Sequence, residues 1–268
     1  MGRLASSAIL VLTALIASPL HGQTQSDRRP LAFEVASVKP NTSGDVSVSM
    51  TPSPGGITIR NYTLQFLLRA AYRIQDFQIV NGPEWLTTTR FDLIGKTVTA
   101  SGQPEIRIML QALLMSRFKL RVHTETRELP VYELKIARSD GTFGPRLHSP
   151  SRCQNGGPSP CDNKVLAGSI SGAGIGMQAL AVNLSVFLGR TVIDRTSFTG
   201  TFDCDLTWTP EFLPQGLSSS DAPSGPPADP TRPPLPTALQ DQLGLKLEST
   251  KGPVDVLVID HVEHPTPD

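Results

Sequence analysis

The residues best equipped for chemistry sit near the end of the chain. His261 and His264 flank Val262 and Glu263, and Asp260 precedes them. Two imidazoles and two carboxylates can serve a metal. Their three-residue spacing suits a ligand pair only where the preceding strand has turned, and no H-E-x-x-H motif accompanies them. The plainer reading is exposed residues near a terminus. His123 alternates outward on its strand, and His148 stands without a histidine partner. Asp203 and Asp205, at i and i+2, share one strand face and approach the two-carboxylate arrangement of glycosidases. Asp92 matches Asp203 in an earlier block, with no counterpart of Asp205, which favours a structural or solvated role. GSISG at 168–172 has its serines at the wrong places for a nucleophile elbow. GAGIG at 172–176 meets Met177 where a dinucleotide fingerprint needs glycine, so it reads as a flexible lead into a helix. No catalytic, metal or cofactor set is assigned, and no cofactor is expected. Aromatic residues are better binding candidates. Tyr62, Tyr72, Trp85, Tyr132 and Trp208 combine apolar bodies with polar handles and could line a groove between helix and sheet, in competition with plain core roles.

The chain has three cysteines. Cys153 and Cys161 flank the turn QNGGPSP, and a local disulfide is expected there; in ideal chain-entropy terms it stabilises by up to about 3 kcal/mol. Cys204, inside FDCDL, reads as a buried free thiol. A zinc site is not expected, because only His148 lies near the C-x7-C pair.

These residues need elements to position them. Arg3 followed by the apolar run Leu4–Ala17 and Pro19 reads as a signal peptide over 1–25, which predicts a secreted or periplasmic protein with no membrane span in the mature chain. Lys plus Arg and Asp plus Glu both number 24, so long-range attraction to nucleic acid is not predicted. Strands are predicted at 33–38, 57–59, 77–80 and 90–95. Leu64, Leu67, Leu68, Ala71 and Tyr72 form one helical face behind Asn61 or Thr63 as cap. Pro104 and Glu105 open a second helix, and strands follow at 119–125 and 130–137. Beyond 139–167, rich in Gly, Ser and Pro, the order restarts with strands, a helix over 177–188 ended by Gly189, and a strand at 201–208. A proline-rich insertion occupies 210–236. A brief helix over 236–243 leads to strands 245–249 and 254–262, the last apolar on nearly both faces and so suited to a sheet interior.

The chain thus repeats itself. LQALLMSRFKLRVHTETRELPVYELKI, at 110–136, answers TALQDQLGLKLESTKGPVDVLVI, at 237–259. The predicted fold class is α+β: two related β-α-β-β-α-β-β halves at 30–138 and 168–264, helices packed on mixed or antiparallel sheet. Pairing of FEVASVKP with VLVIDHV would weld the halves into one unit.

FEVASVKP at 33–40, RFKLRVHTETRELPVYEL at 117–134 and ALQDQLGLKLESTKGPVDVLVIDHVEHP at 238–265 resemble a secreted family expanded in soil Acidobacteria, of unknown function. Related segments in some members are fused to membrane metallopeptidases of the antirepressor type. The resemblance implies an extracytoplasmic sensing or binding role and supplies no catalytic residues. At fold level the β-α-β pieces are similar to the short N-terminal domains of secretins and TonB receptors. The leading expectation is a non-enzymatic module binding a protein, peptide or envelope polymer through a sheet edge or an inter-half groove. The alternatives are an extracytoplasmic hydrolase with a spatially assembled site and a structural envelope protein.

Overall fold

The computed structural model describes residues 31–45, 47–98, 101–150, 163–210 and 231–265. The expected signal peptide, Cys153, Cys161 and most of the proline-rich insertion lie outside these residues. Residues 31–268 form one unit.

Local chemistry sets the elements. Strands β1 (Val35–Pro40), β2 (Ser49–Ser53) and β3 (Gly56–Thr63) come first. Helix α1 (Leu64–Tyr72) begins where the Thr63 hydroxyl accepts the amide of Phe66 at 3.3 Å, and it ends at Arg73 in the left-handed region, φ 57°. Leu64, Leu67, Leu68 and Ala71 are its buried face. The strand expected at 77–80 is a 3-10 turn, Asp76–Gln78, and only two residues of strand, β4 (Ile79–Val80). Short helix α2 (Trp85–Thr88) leads to β5 (Arg90–Lys96). Helix α3 (Gln103–Arg117) opens with Pro104 and Glu105 in its first turn and buries Ile106, Met109, Leu110, Leu113 and Leu114.

The pairs of strands expected at 119–125 and 130–137, and at 245–249 and 254–262, are each one continuous strand: β6 (Arg121–Ile136) and β12 (Leu245–His261). Their prolines do not turn the chain, because both missing N–H groups face away from the partner strand. The Tyr132 amide donates outward to the Thr191 carbonyl at 2.9 Å, so the peptide nitrogen of Pro130, two residues earlier, also points outward. On β12 the outward carbonyl of Asp255 accepts Gln78 Nε2 at 2.8 Å, which places Pro253 the same way. β6 and β12 pair antiparallel along their length, with Pro130 opposite Lys251 and Pro253 opposite Glu128. The pairing is therefore symmetric about Leu129 and Gly252.

The second half runs β7 (Leu147–His148), β8 (Lys164–Leu166), β9 (Ser169–Gly176), α4 (Met177–Leu188), β10 (Val192–Asp194), β11 (Thr201–Thr207) and α5 (Leu235–Ala238), which continues into a π turn at Leu239–Leu243. Gly189, at φ 59°, caps α4. The sheets are ordered β1-β5-β3-β2, β10-β6-β12-β4 and β7-β11-β9-β8. The architecture is α+β with mostly antiparallel sheets. FEVASVKP does not pair with the C-terminal strand: β1 lies antiparallel to β5, with Val38 opposite Leu93.

The middle sheet joins the halves by exchange. β4, from the first half, runs parallel to β12, and β10, from the second, runs parallel to β6. One face of the β6–β12 ribbon feeds two cores. Leu257 and Ile259 enter the core of α1 and α3, while Leu134 and Leu245 enter that of α4 and α5. Val131, Val254, Val256 and Val258 form a third cluster on the other face, with Val80 and Ile193 beside it.

A second repeated feature precedes each main helix. The register shifts beside Asn61 in β3 and beside Gly174 in β9, where both residues adopt positive φ, 62° and 68°. The Asp92 carboxylate accepts the Asn61 amide at 2.9 Å, and that of Asp203 accepts the Gly174 amide at 2.9 Å. An aspartate on the neighbouring strand thus satisfies the amide that each bulge strips from the ladder.

Candidate binding groove

The histidines and carboxylates are spread out rather than gathered. His123 Nδ1 lies 2.9 Å from the exposed Asp260 Oδ2, and the half-buried His261 places Nε2 2.7 Å from Glu263 Oε1. His264 instead stacks on Trp85, ring centroids 4.0 Å apart. Among the described residues no three His, Cys, Asp or Glu side chains are grouped to hold a metal ion. Asp203 is engaged at the Gly174 bulge, while Asp205 is exposed with Arg146 at 4.0 Å. His148 pairs opposite Asp203 on the edge strand β7. The buried Cys204 thiol is pushed up to about 12 by burial and then by the charges of Asp205 and Asp203, so it stays protonated at neutral pH.

The five aromatic candidates divide between the two cores. Tyr62 is buried against Phe66, ring centroids 4.3 Å apart, and Tyr72 is half-buried on the same core. Burial raises the pKa of both phenols. Trp85 meets Phe91 edge-on at 6.4 Å. In the second core Trp208 is buried edge-on to Phe187 at 5.0 Å, and Tyr132 lies beneath the Arg190 guanidinium at 5.4 Å. Packing therefore divides these five between two cores.

A groove does form between α1 and α3, at no single sequence motif. It encloses about 400 Å³ and is floored by Ile57, Phe66, Ile106 and Leu110. Val182, on α4 of the second half, closes one wall and is 49% exposed. Its rim carries Arg69, Arg73 and Arg107. Arg69 lies over the Phe66 ring at 4.9 Å and meets Asp76 at 3.2 Å. Burial raises the Asp76 pKa, and Arg69 only partly offsets this. Arg73 and Arg107 have no carboxylate within ion-pair distance among the described residues. Arg69 and Arg73 stand at i and i+4 on α1 and its cap, a spacing visible in the sequence. Arg107 joins them only because α1 packs on α3. Apolar floor and unpaired guanidinium groups together favour a ligand with an apolar face and negative charge.

A family model described as a protein of unknown function, DUF3738, matches residues 65–262. No curated protein and no solved structure matches the chain.

Proposed function

The chain belongs to this family, and we propose that it is a non-enzymatic, extracytoplasmic binding module whose α1–α3 groove takes an acidic, amphipathic peptide segment of a partner protein. The leader-like N-terminus supports the location. One observation carries the ligand chemistry: Arg73 and Arg107 flank an apolar groove with no carboxylate within ion-pair distance among the described residues.

The edges at β1, β2, β6 and β12 are poorer docking sites. On β1 the outward carbonyl of Ala36 is taken by Arg117 Nη2 at 2.9 Å, and Pro40 offers no N–H. Pro52 interrupts β2, and Pro130 and Pro253 face the open edges of β6 and β12. Proline at an edge withholds the donor that an added strand needs.

Fluorescence anisotropy against an array of random peptides tests the reading. Acidic amphipathic peptides are expected to bind, more weakly as salt rises, since screening lengths shorten to about 8 Å at physiological ionic strength. The double variant Arg73→Glu/Arg107→Glu is expected to abolish binding while keeping its fold by circular dichroism. Equal binding of lysine-rich peptides, or turnover in a hydrolase panel by the mature protein, overturns it.

A further inference from the structure

The outer face of the first sheet carries a second cavity, of about 550 Å³, separate from the helix groove. Strand register builds its floor. Ser37, Ile94 and Thr58 form one rung across β1, β5 and β3. Lys39 stands opposite Asp92, and Arg60 opposite Ser49. Inward-facing Val38 and Leu93 hold this face from behind as core.

Asn41, Ser43, Asp45 and Ser47 also line the cavity and are held in place by hydrogen bonds. Asn41 Nδ2 donates to Asp92 at 2.8 Å, and the Ser47 hydroxyl donates to Asp45 at 2.7 Å. Asn61, only 2% exposed, donates its amide to the carbonyls of Asp45 and Ser47 at 2.7 and 2.8 Å. Its Oδ1 has no hydrogen-bond partner among the described residues, and Asn61 lines the cavity. Gly174, at the matching bulge of the second half, carries no side chain to do this. The amide that ties the loop is an addition to the shared bulge.

We propose that this cleft binds an uncharged sugar ring. Its lining sets two cationic side chains, Lys39 and Arg60, against two anionic ones, Asp45 and Asp92. A metal ion would meet the first pair and a phosphate the second, so neither is favoured. A hydroxyl both donates and accepts, and a ring bearing several matches such a mixed lining, together with the hydroxyls of Ser37, Ser49 and Thr58. Ile94, 46% exposed, offers an apolar surface to the C–H face of the ring.

Amide NMR titration of the mature protein tests this, with glucose, mannose, N-acetylglucosamine, cellobiose and chitobiose as probes. Calcium chloride and sodium phosphate are the comparison arms. At least one sugar is expected to give saturable shifts confined to the amides around Ser37, Asn41, Thr58 and Ile94. Lys39→Ala is expected to weaken that affinity by about tenfold, the size of one lost hydrogen bond. Thr58→Ala, at a half-buried rung, gives an independent loss of about fivefold if the first variant folds poorly. Val182→Ala, in the helix groove, leaves sugar binding unchanged. Absence of saturable shifts with every sugar, or shifts at these amides with calcium or phosphate alone, overturns the assignment.

Discussion

Separating the halves is the severest test of the exchanged middle sheet. A fragment covering 31–138 keeps β1 to β6 but loses β12. Its core then lacks Leu257 and Ile259, each 5% exposed in the intact chain. Their burial contributes about 1.5–3 kcal/mol apiece, or about 3–6 kcal/mol together. That rivals the whole stability of an ordinary domain, about 5–15 kcal/mol. β6 also loses its antiparallel partner from Arg121 to Ile136. The complementary fragment, 139–268, loses Leu134, which is fully buried, along with Tyr132 and Ile136 beside it. Neither fragment is expected to fold alone. Mixed in equal amounts, they are expected to regain a cooperative melt by circular dichroism and the amide spectrum of the intact protein. A dispersed spectrum and a cooperative melt from 31–138 alone would refute the reasoning, because β12 would then be dispensable to the first core.

Three further outcomes follow from particular residues. Leu67, fully buried on α1, places a carboxylate in the core when changed to Asp, so Leu67→Asp is expected to cost about 4 kcal/mol or more in chemical denaturation; an unchanged midpoint contradicts the helix's place in the core. Hydrogen bonds from Lys135 and Lys246 lower the Glu248 carboxyl to about 2 from 4.5. A depressed acid adds stability that is complete above its unfolded value and fades as pH falls from 4.5 towards 2. The melting difference between the protein and Glu248→Gln should therefore shrink over that window, and a constant difference refutes the assignment. Native Cys204 should resist Ellman's reagent at neutral pH, since its thiol is pushed up to about 12. Unfolded without reductant, the protein should show one reactive thiol if Cys153 and Cys161 are bonded, and three reactive thiols remove that disulfide.

The helices were legible because their signals are local. The apolar spacing of Leu64, Leu67, Leu68 and Ala71, the Thr63 cap and the Gly189 stop fix α1 and α4 through neighbours a few residues away. Asp92 and Asp203 were legible as matching residues, but their common task was not, since it depends on an amide that only the sheet brings beside each. The strand breaks expected before Pro130 and at Pro253 are absent for the same reason. A proline breaks a ladder only when its nitrogen faces the partner strand, and sequence does not reveal which way it faces.

The groove followed that pattern. Arg69 and Arg73 share a helix face by spacing alone, yet Arg107 and Val182 reach them from distant segments. Sequence by itself determined the apolar face of each helix, because backbone periodicity converts spacing directly into direction. Tertiary structure alone decided which half each long strand completes and which charges gather at one rim, because those depend on contacts between residues far apart along the chain.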